Sequence, residues 1–503
     1  MQAQYFLRKK NCNYLSRFLC VMSVMYAALD SCITHAQRVN LESNHMDLSN
    51  QRVFKKTLAN GMTVLVRSVR TVPRVSVQLW YNVGSRDEQD GERGIAHLIE
   101  HMIFKGTQKL SESDINVVTH MLSGSCNAFT SYDYTGYLFN MPSHHWTQVL
   151  PIMADCMQNC TFKDDMLSSE MQAVIQELKM YKDQYVRSLV DEMIGVIFAD
   201  HPYHHPIIGY KQDLWNVRSN DLKSFYKKHY QVNNTTLVVV GDVDPEEVFA
   251  QAQKTFGAIQ PDLSYQKNEF YFNRDIASKS VTLYRDVSQP MAVFIYVVPG
   301  LKDKKDNVLE ILSWVLGKGK SSRLYKKIVE EEQLATDLSA SSEELFDYGL
   351  FFIAVEPKKQ EDLAAIEKLI QKELDLIMRE GISLEEVARA RKQVQMGLYG
   401  LLEDTEHQAY EIGKYFLATG DENYVFNFLN KSDQEFAKEA QLIVAQHMRV
   451  PLTHKGYVVP LADADKELWV NEQKESDAQD EKILSNHKRD TDIESPRYAL
   501  TIT

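Results

Sequence analysis

Two hydrophobic periods divide the chain. Val53 to Val69 reads as a β-hairpin that turns at Asn60-Gly61. Val75-Ser76-Val77-Gln78-Leu79-Trp80-Tyr81 alternates apolar with polar and predicts a strand with one buried face. A loop at Gly84-Ser85-Arg86-Asp87-Glu88 leads into a predicted helix over Gly94 to Phe104. Ser111-Glu112-Ser113-Asp114 is a helix-start signal. Asn127 to Met141, rich in Thr, Tyr and Phe, predicts two strands that bend at Ser131–Asp133. Helices are expected at about 143–160 and 163–197, and Thr235 to Val240 reads as a buried strand.

A second unit then echoes the first. The apolar run Ala292 to Gly300 answers the strand at 75–84, and a helix at about 304–316 follows it. Further helices are expected over 359–380 and 383–448, and Gly456-Tyr457-Val458-Val459 answers the strand at 235–240. The pattern predicts an α+β fold made of two homologous α/β-sandwich-like domains, each a mixed sheet with helices on one face. The expected divisions are 50–258, a polar linker at 259–279, and 280–465. Residues 466–503 are charged with few apolar positions, which predicts a disordered tail.

Composition narrows the function classes. The formal charge of −13 argues against a nucleic-acid partner. Residues 1–36 read as a secretory signal: Arg8, Lys9, Lys10 and Arg17 precede the apolar run Phe18 to Leu29, and Thr34-His35-Ala36 offers a cleavage point. A transit peptide and a retained anchor are the alternatives, and Cys32 faintly matches a lipoprotein signal. Export predicts a periplasmic or secreted protein. No later stretch is long and apolar enough for a stable membrane span. Cleavage after Ala36 leaves Cys126, Cys156 and Cys160, an odd set and no disulfide framework.

The candidate chemistry lies in the helix at 94–104. His97 and His101 are four residues apart, so both imidazoles fall on one helical face, where they can hold a tetrahedral Zn²⁺. Glu100 leans toward that face and can act as a base toward a metal-bound water. His-x-x-Glu-His is the inverse of the common zinc-protease motif. A free Glu100 leaves the metal one ligand short. Glu170 and Glu177, seven apart on a largely apolar helix, share a face and can supply it; a solvated pair is the alternative. His201-Pro202-Tyr203-His204-His205-Pro206 is read as a rigid turn, because consecutive histidines diverge.

These residues resemble the pitrilysin or insulinase family of zinc peptidases. Gly84-Ser85-Arg86-Asp87-Glu88 and Gly94-x-Ala96-His97-x-x-Glu100-His101-Met102-x-Phe104-Lys105-Gly106-Thr107 carry the likeness. So do Asn127-Ala128-x-Thr130-x-x-Asp133-x-Thr135-x-Tyr137, His201-Pro202-Tyr203, and Glu177 at 76 residues beyond His101. The chain is most similar to the half-length branch that holds mitochondrial processing peptidase and its bacterial relatives. The resemblance spans about 50 to 460. It implies one zinc per chain, held by His97, His101 and Glu177 with a water in the fourth position. It also implies Glu100 as general base and Glu170 as the carboxylate that orients a ligand histidine. The segment at Asn127 and Ala128 becomes the edge strand on which an extended peptide substrate docks.

One departure stands out. Family members that act alone carry an Arg and a Tyr, seven apart, in the second half. Val329 and Thr336 occupy those positions here, and Arg323 and Tyr325 have the wrong spacing. The expectation is therefore an exported zinc metalloendopeptidase that is the zinc-bearing half of a heterodimer with a homologous zinc-less subunit carrying the Arg and Tyr. A non-catalytic zinc-binding scaffold, or a subunit that captures peptides, is the alternative.

Overall fold

The computed structural model describes residues 52–267, 269–270 and 277–485. The predicted leader at 1–36 and the last part of the predicted tail at 486–503 lie outside the described residues.

Strands β1 (Phe54–Thr57), β2 (Thr63–Ser68), β3 (Arg74–Tyr81), β4 (Ser125–Thr130), β5 (Thr135–Pro142) and β6 (Thr235–Gly241) form one sheet in the order β1-β2-β6-β3-β5-β4. Strands β7 (Ser280–Arg285), β8 (Met291–Pro299), β9 (Ala335–Glu344), β10 (Tyr348–Pro357) and β11 (His454–Pro460) form a second in the order β7-β11-β8-β10-β9. In the first sheet β2 and β6 run parallel and every other neighbour is antiparallel. In the second, β7 and β11 take that parallel place. One five-stranded topology thus occurs twice, with β1 added to the first copy. The first hairpin turns where Asn60-Gly61 predicts, with Gly61 at φ 89°.

The faces of the sheets differ from the expectation for β3. That strand is buried on both sides, including Ser76 and Gln78. The reason is an exchange of helices between the halves. One face of the first sheet packs on its own helices through Val64, Val77 and Leu79. The other, with Leu65, Trp80 and Val238, is covered by Ala409 and Ile412 of a helix from the second half, Thr405–Thr419. The buried Gln78 side chain is satisfied there: it donates to the Glu406 carbonyl at 3.0 Å and accepts from Trp80 Nε1 at 3.0 Å. In return, the helix Tyr185–Ile197 of the first half lays Leu189, Met193 and Ile197 against Val293, Ile295 and Val297 of the second sheet. The expected single helix over 163–197 is two helices, Asp164–Lys182 and Tyr185–Ile197. The break at Asp183-Gln184 lets the second one reach the opposite sheet.

The halves also meet through equivalent turns. Gly84 opens a turn closed by Asp87, whose carboxylate accepts from the Gly84 N–H at 3.1 Å; Gly300 and Asp303 repeat this at 3.3 Å. The first turn pairs its backbone with Ser131 and Tyr132, the second with Leu345 and Phe346. A Cβ on Gly84 would stand 2.3 Å from the Ser131 oxygen, so the close approach requires glycine. Arg86 sits at the junction, 1% exposed, and pairs with Asp133 at 2.6 Å and with Asp347 of the other half at 2.8 Å. Asp133 also accepts from the Tyr203 hydroxyl at 2.6 Å and from the Phe346 N–H at 2.9 Å.

Residues 466–485 depart from the predicted disordered tail. They belong to a helix, Asp463–Ser485. Charge rather than apolar burial anchors it: Asp480, 2% exposed, pairs with Lys211 and Lys179, Asp477 pairs with Lys179 at 3.0 Å, and Lys466 pairs with Asp286 at 3.2 Å. A rule based on low hydrophobicity does not register that kind of anchor.

Candidate metal centre

The motif helix runs Ile95–Ile103. Its apolar residues Ile95, Leu98, Ile99, Met102 and Ile103 are buried in the core. The N-terminus is fixed by a buried carboxylate: Glu88 accepts from the N–H groups of Gly94 and Ala96, both at 2.8 Å. His205 joins the same carboxylate at 2.9 Å. This packing sets the rotation of the helix and turns His97, Glu100 and His101 toward the helix Asp164–Lys182. That helix buries Leu167, Met171, Val174, Ile175 and Leu178, and so presents Glu170 and Glu177 to the motif.

His97, His101 and Glu177 bring one ligand atom each to within 4.8 Å of one another. Nε2 of His97 and Nε2 of His101 each lie 3.6 Å from the same oxygen, Glu177 Oε2. Tetrahedral bonds of about 2.1 Å would set ligand atoms roughly 3.4 Å apart, close to the length of both histidine-to-glutamate sides. Among the described residues this is the single group of His, Cys, Asp or Glu that converges in this way. The histidines at 201–205 do not join it. His201 packs on Tyr203 and Tyr348, and His205 serves Glu88.

Burial and the neighbouring charges act differently on the three donors. Burial lowers the His97 pKa and favours the neutral imidazole that can ligate. Burial opposes charge on Glu177, but His101, His97 and Tyr181 outweigh it and hold the carboxyl down to about 2. Burial likewise opposes a charged His101, whose pKa is nonetheless raised by its hydrogen bonds to Glu177 and Glu170.

Glu170 lies 3.1 Å from His101 Nδ1. Its other oxygen meets Lys105 Nζ at 2.8 Å, and Lys105 reaches Glu112 at 2.7 Å. The ring of His101 is therefore oriented with Nε2 toward Glu177. Glu100 stands outside the triangle and accepts from Thr130 Oγ1 at 2.6 Å. Thr130 ends β4, which among the described residues pairs with β5 alone and leaves its other edge without a strand partner. Asn127 and Ala128 lie on this strand, and the Ala128 N–H is taken by the Asn127 side chain at 2.9 Å. In the second half, Val329 is half-buried in a π-helical turn, Tyr325–Glu331, and packs on that half's core. Thr336 contacts Glu356, and Arg323 is committed to Glu386 through two bonds of 2.7 and 2.8 Å.

Sequence reasoning missed Lys105, Thr130 and Tyr181 as parts of the site. Thr130 stands in a motif quoted for the resemblance, and Tyr181 lies one helical turn after Glu177, so both signals were present.

A 9-residue helix with paired histidines and a 19-residue helix with paired carboxylates meet on the first of two duplicated domains, with the histidines in the inverted His-x-x-Glu-His order. The insulinase (peptidase M16) family model matches residues 63–211, and the M16 inactive-domain model matches 216–394. A zinc protease of Rickettsia bellii, itself uncharacterised, is 30% identical over 366 residues, spanning 72% of this chain and 87% of that one. The zinc protease PqqE of Helicobacter pylori is 31% identical over 334 residues, 63% of this chain and 74% of that one. The crystal structure of a Helicobacter pylori protease superposes with a TM-score of 0.74 at 25% identity, covering 82% of this chain and all of that one. The periplasmic protease PqqL of Escherichia coli shares the fold at a TM-score of 0.66 and 19% identity; the match covers 90% of this chain and 52% of that one. The chain belongs to the insulinase family of peptidases, in its half-length form.

Proposed function

We propose that this chain is a zinc metalloendopeptidase that cleaves peptides or extended segments. One observation carries the reading. Both histidine Nε2 atoms face a single oxygen of Glu177, while Glu100 stays outside that set and is held by Thr130. A ligand triangle with a separate carboxylate beside it is the arrangement hydrolysis needs, and a metal bound only for structure has no use for the separate base. His97, His101 and Glu177 would hold one zinc. When bound, zinc supplies Lewis-acid polarisation of the scissile carbonyl and makes water a better nucleophile. Glu100 takes the proton of the attacking water and later delivers one to the leaving amine. Glu170 keeps His101 turned toward the ligand centre. The outer edge of β4 gives an extended backbone a partner, which a folded substrate cannot use.

The reading extends to a heterodimer and to export. Val329 and Thr336 supply no charged donor for the carbonyl oxygen, and Arg323 is occupied by Glu386. A homologous zinc-less subunit bringing an Arg and a Tyr completes the site. The likeness to about half of PqqL, a longer chain, supports such pairing. The leader-like residues 1–36 support a periplasmic or secreted location. No helix among the described residues is long and apolar enough to cross a membrane.

The test is cleavage of an unstructured peptide by the chain alone and mixed with a homologue that carries the Arg and Tyr. The mixture is expected to be about 10²–10³ faster, the usual worth of a donor aimed at the developing oxyanion. Glu100→Gln is expected to abolish cleavage in both. Equal rates with and without the homologue overturn the heterodimer. Peptide binding without any cleavage returns the chain to the capturing role.

A further inference from the structure

Glu177 divides its two oxygens between different partners. Oε2 faces the histidines, 3.6 Å from each Nε2. Oε1 accepts a hydrogen bond from the Tyr181 hydroxyl. Tyr181 follows Glu177 by one turn of the same helix, so the two side chains stand together on one face. The tyrosine ring is fixed in its turn: the Arg187 guanidinium lies over it, with Cζ 3.3 Å from the ring centroid. Arg187 comes from the next helix, which the break at Asp183-Gln184 folds back toward the site.

We propose that Tyr181, held in place by Arg187, is a positioning residue that keeps Glu177 a one-oxygen ligand. The inference rests on the metal-site reading above. A carboxylate beside a zinc ion can offer one oxygen or swing to offer both. A second oxygen would raise the ligand count and compete for the open position that a catalytic zinc site keeps. A hydroxyl hydrogen-bonded to the outer oxygen opposes that swing, and the bond is strong because its acceptor is ionised. Glu170 does for His101 what Tyr181 does for Glu177, so two of the three ligands have a partner behind them. Arg187 acts one step further out, by fixing the ring that carries the hydroxyl.

Tyr181→Phe removes the hydroxyl and keeps the ring under Arg187. In the full chain stripped of metal, zinc affinity is read by competition with a chromophoric chelator. Tyr181→Phe is expected to bind zinc about 10–100-fold more weakly. At saturating cobalt its visible absorption is expected to fall, because a two-oxygen Glu177 raises the coordination number. That spectral change reads ligand geometry, and a loss of fold stability alone does not produce it. Arg187→Gln is expected to weaken zinc less, and to add nothing in a Tyr181→Phe background, because it acts through the tyrosine. Wild-type affinity together with an unchanged cobalt spectrum in Tyr181→Phe overturns the proposal. Glu177→Gln, measured in parallel, separates the two levels. If it loses zinc while Tyr181→Phe does not, only the positioning role is wrong. If Glu177→Gln also keeps its zinc, the ligand assignment has failed.

Discussion

The two halves share a five-strand topology, a glycine-opened turn after the central strand of that sheet and a helix after that turn, yet their helices are put to different use. In the first half the helix Ile95–Ile103 packs its apolar residues in the core and turns His97, Glu100 and His101 toward the helix Asp164–Lys182. In the second the helix Asp306–Leu316 spends its polar residues on packing. Asp306 accepts from the Tyr424 hydroxyl at 2.6 Å, and Asn307 donates to the Phe428 carbonyl at 2.9 Å. The frame is therefore separable from the chemistry. Each copy covers the other's sheet, and the candidate ligands come from only the first of them. Motif residues divide in the same way. His97, His101, Glu100, Glu170 and Glu177 gather at the site. Arg86, Asp133 and Tyr203, which stand in the same family motifs, instead join the halves.

The largest expected effect comes from breaking that junction. Asp133→Ala leaves the buried Arg86 guanidinium without its nearest carboxylate and should cost about 3–5 kcal/mol of stability. Lys302→Ala removes the equivalent cation of the second half, whose side chain is 51% exposed and pairs with Asp347 at 2.6 Å; it should cost about 0–1 kcal/mol. Denaturant unfolding of both variants checks the contrast. Similar losses would mean that burial does not set the Arg86 pairing apart from that of Lys302.

A middle effect is expected at Glu170. Glu170→Gln keeps the size and loses the charge beside His101 and Lys105, and should weaken zinc about 10–100-fold while leaving metal-free stability near wild type. Chelator competition and a thermal melt give the two numbers. Unchanged affinity would return Glu170 to a solvated-face role.

The smallest effect compares one buried histidine from each half. Burial pushes His229 and His454 down to about 4. In the unfolded chain each titrates near about 6.5, so between those values the unfolded state binds more protons. Stability is then complete above about pH 6.5 and falls as pH drops toward about 4. His454 Nδ1 accepts from the Lys279 N–H at 3.1 Å, a contact that Asn can imitate without titrating. His454→Asn should flatten the slope of unfolding midpoint against pH, and an unchanged slope would contradict the assignment.

The duplicated frame and the helical spacing of the motif residues were both legible in the sequence. Helical spacing alone placed His97 beside His101 and Glu170 beside Glu177, because a rigid helix converts sequence intervals into faces. The hairpin at 335–357 drew no assignment. The run Leu350 to Val355 in β10 is continuously apolar, since both faces of that strand are buried, and periodicity alone does not separate such a run from a buried helix segment. β3 misled for the related reason that Ser76 and Gln78 look solvent-facing and are covered by a helix from more than 300 residues away. No local pattern encodes an exchange of helices between distant segments. The terminal helix was hidden by its composition, because its anchors are charges such as Asp480.

The central claim is that one zinc binds in the first half and that Glu100 is not among its ligands. Zinc content per chain, measured by mass spectrometry on the wild type, Glu100→Gln and Glu177→Gln, tests it most directly. The account predicts one equivalent in the wild type and in Glu100→Gln, and loss of zinc in Glu177→Gln. Loss of zinc in Glu100→Gln with retention in Glu177→Gln would contradict it.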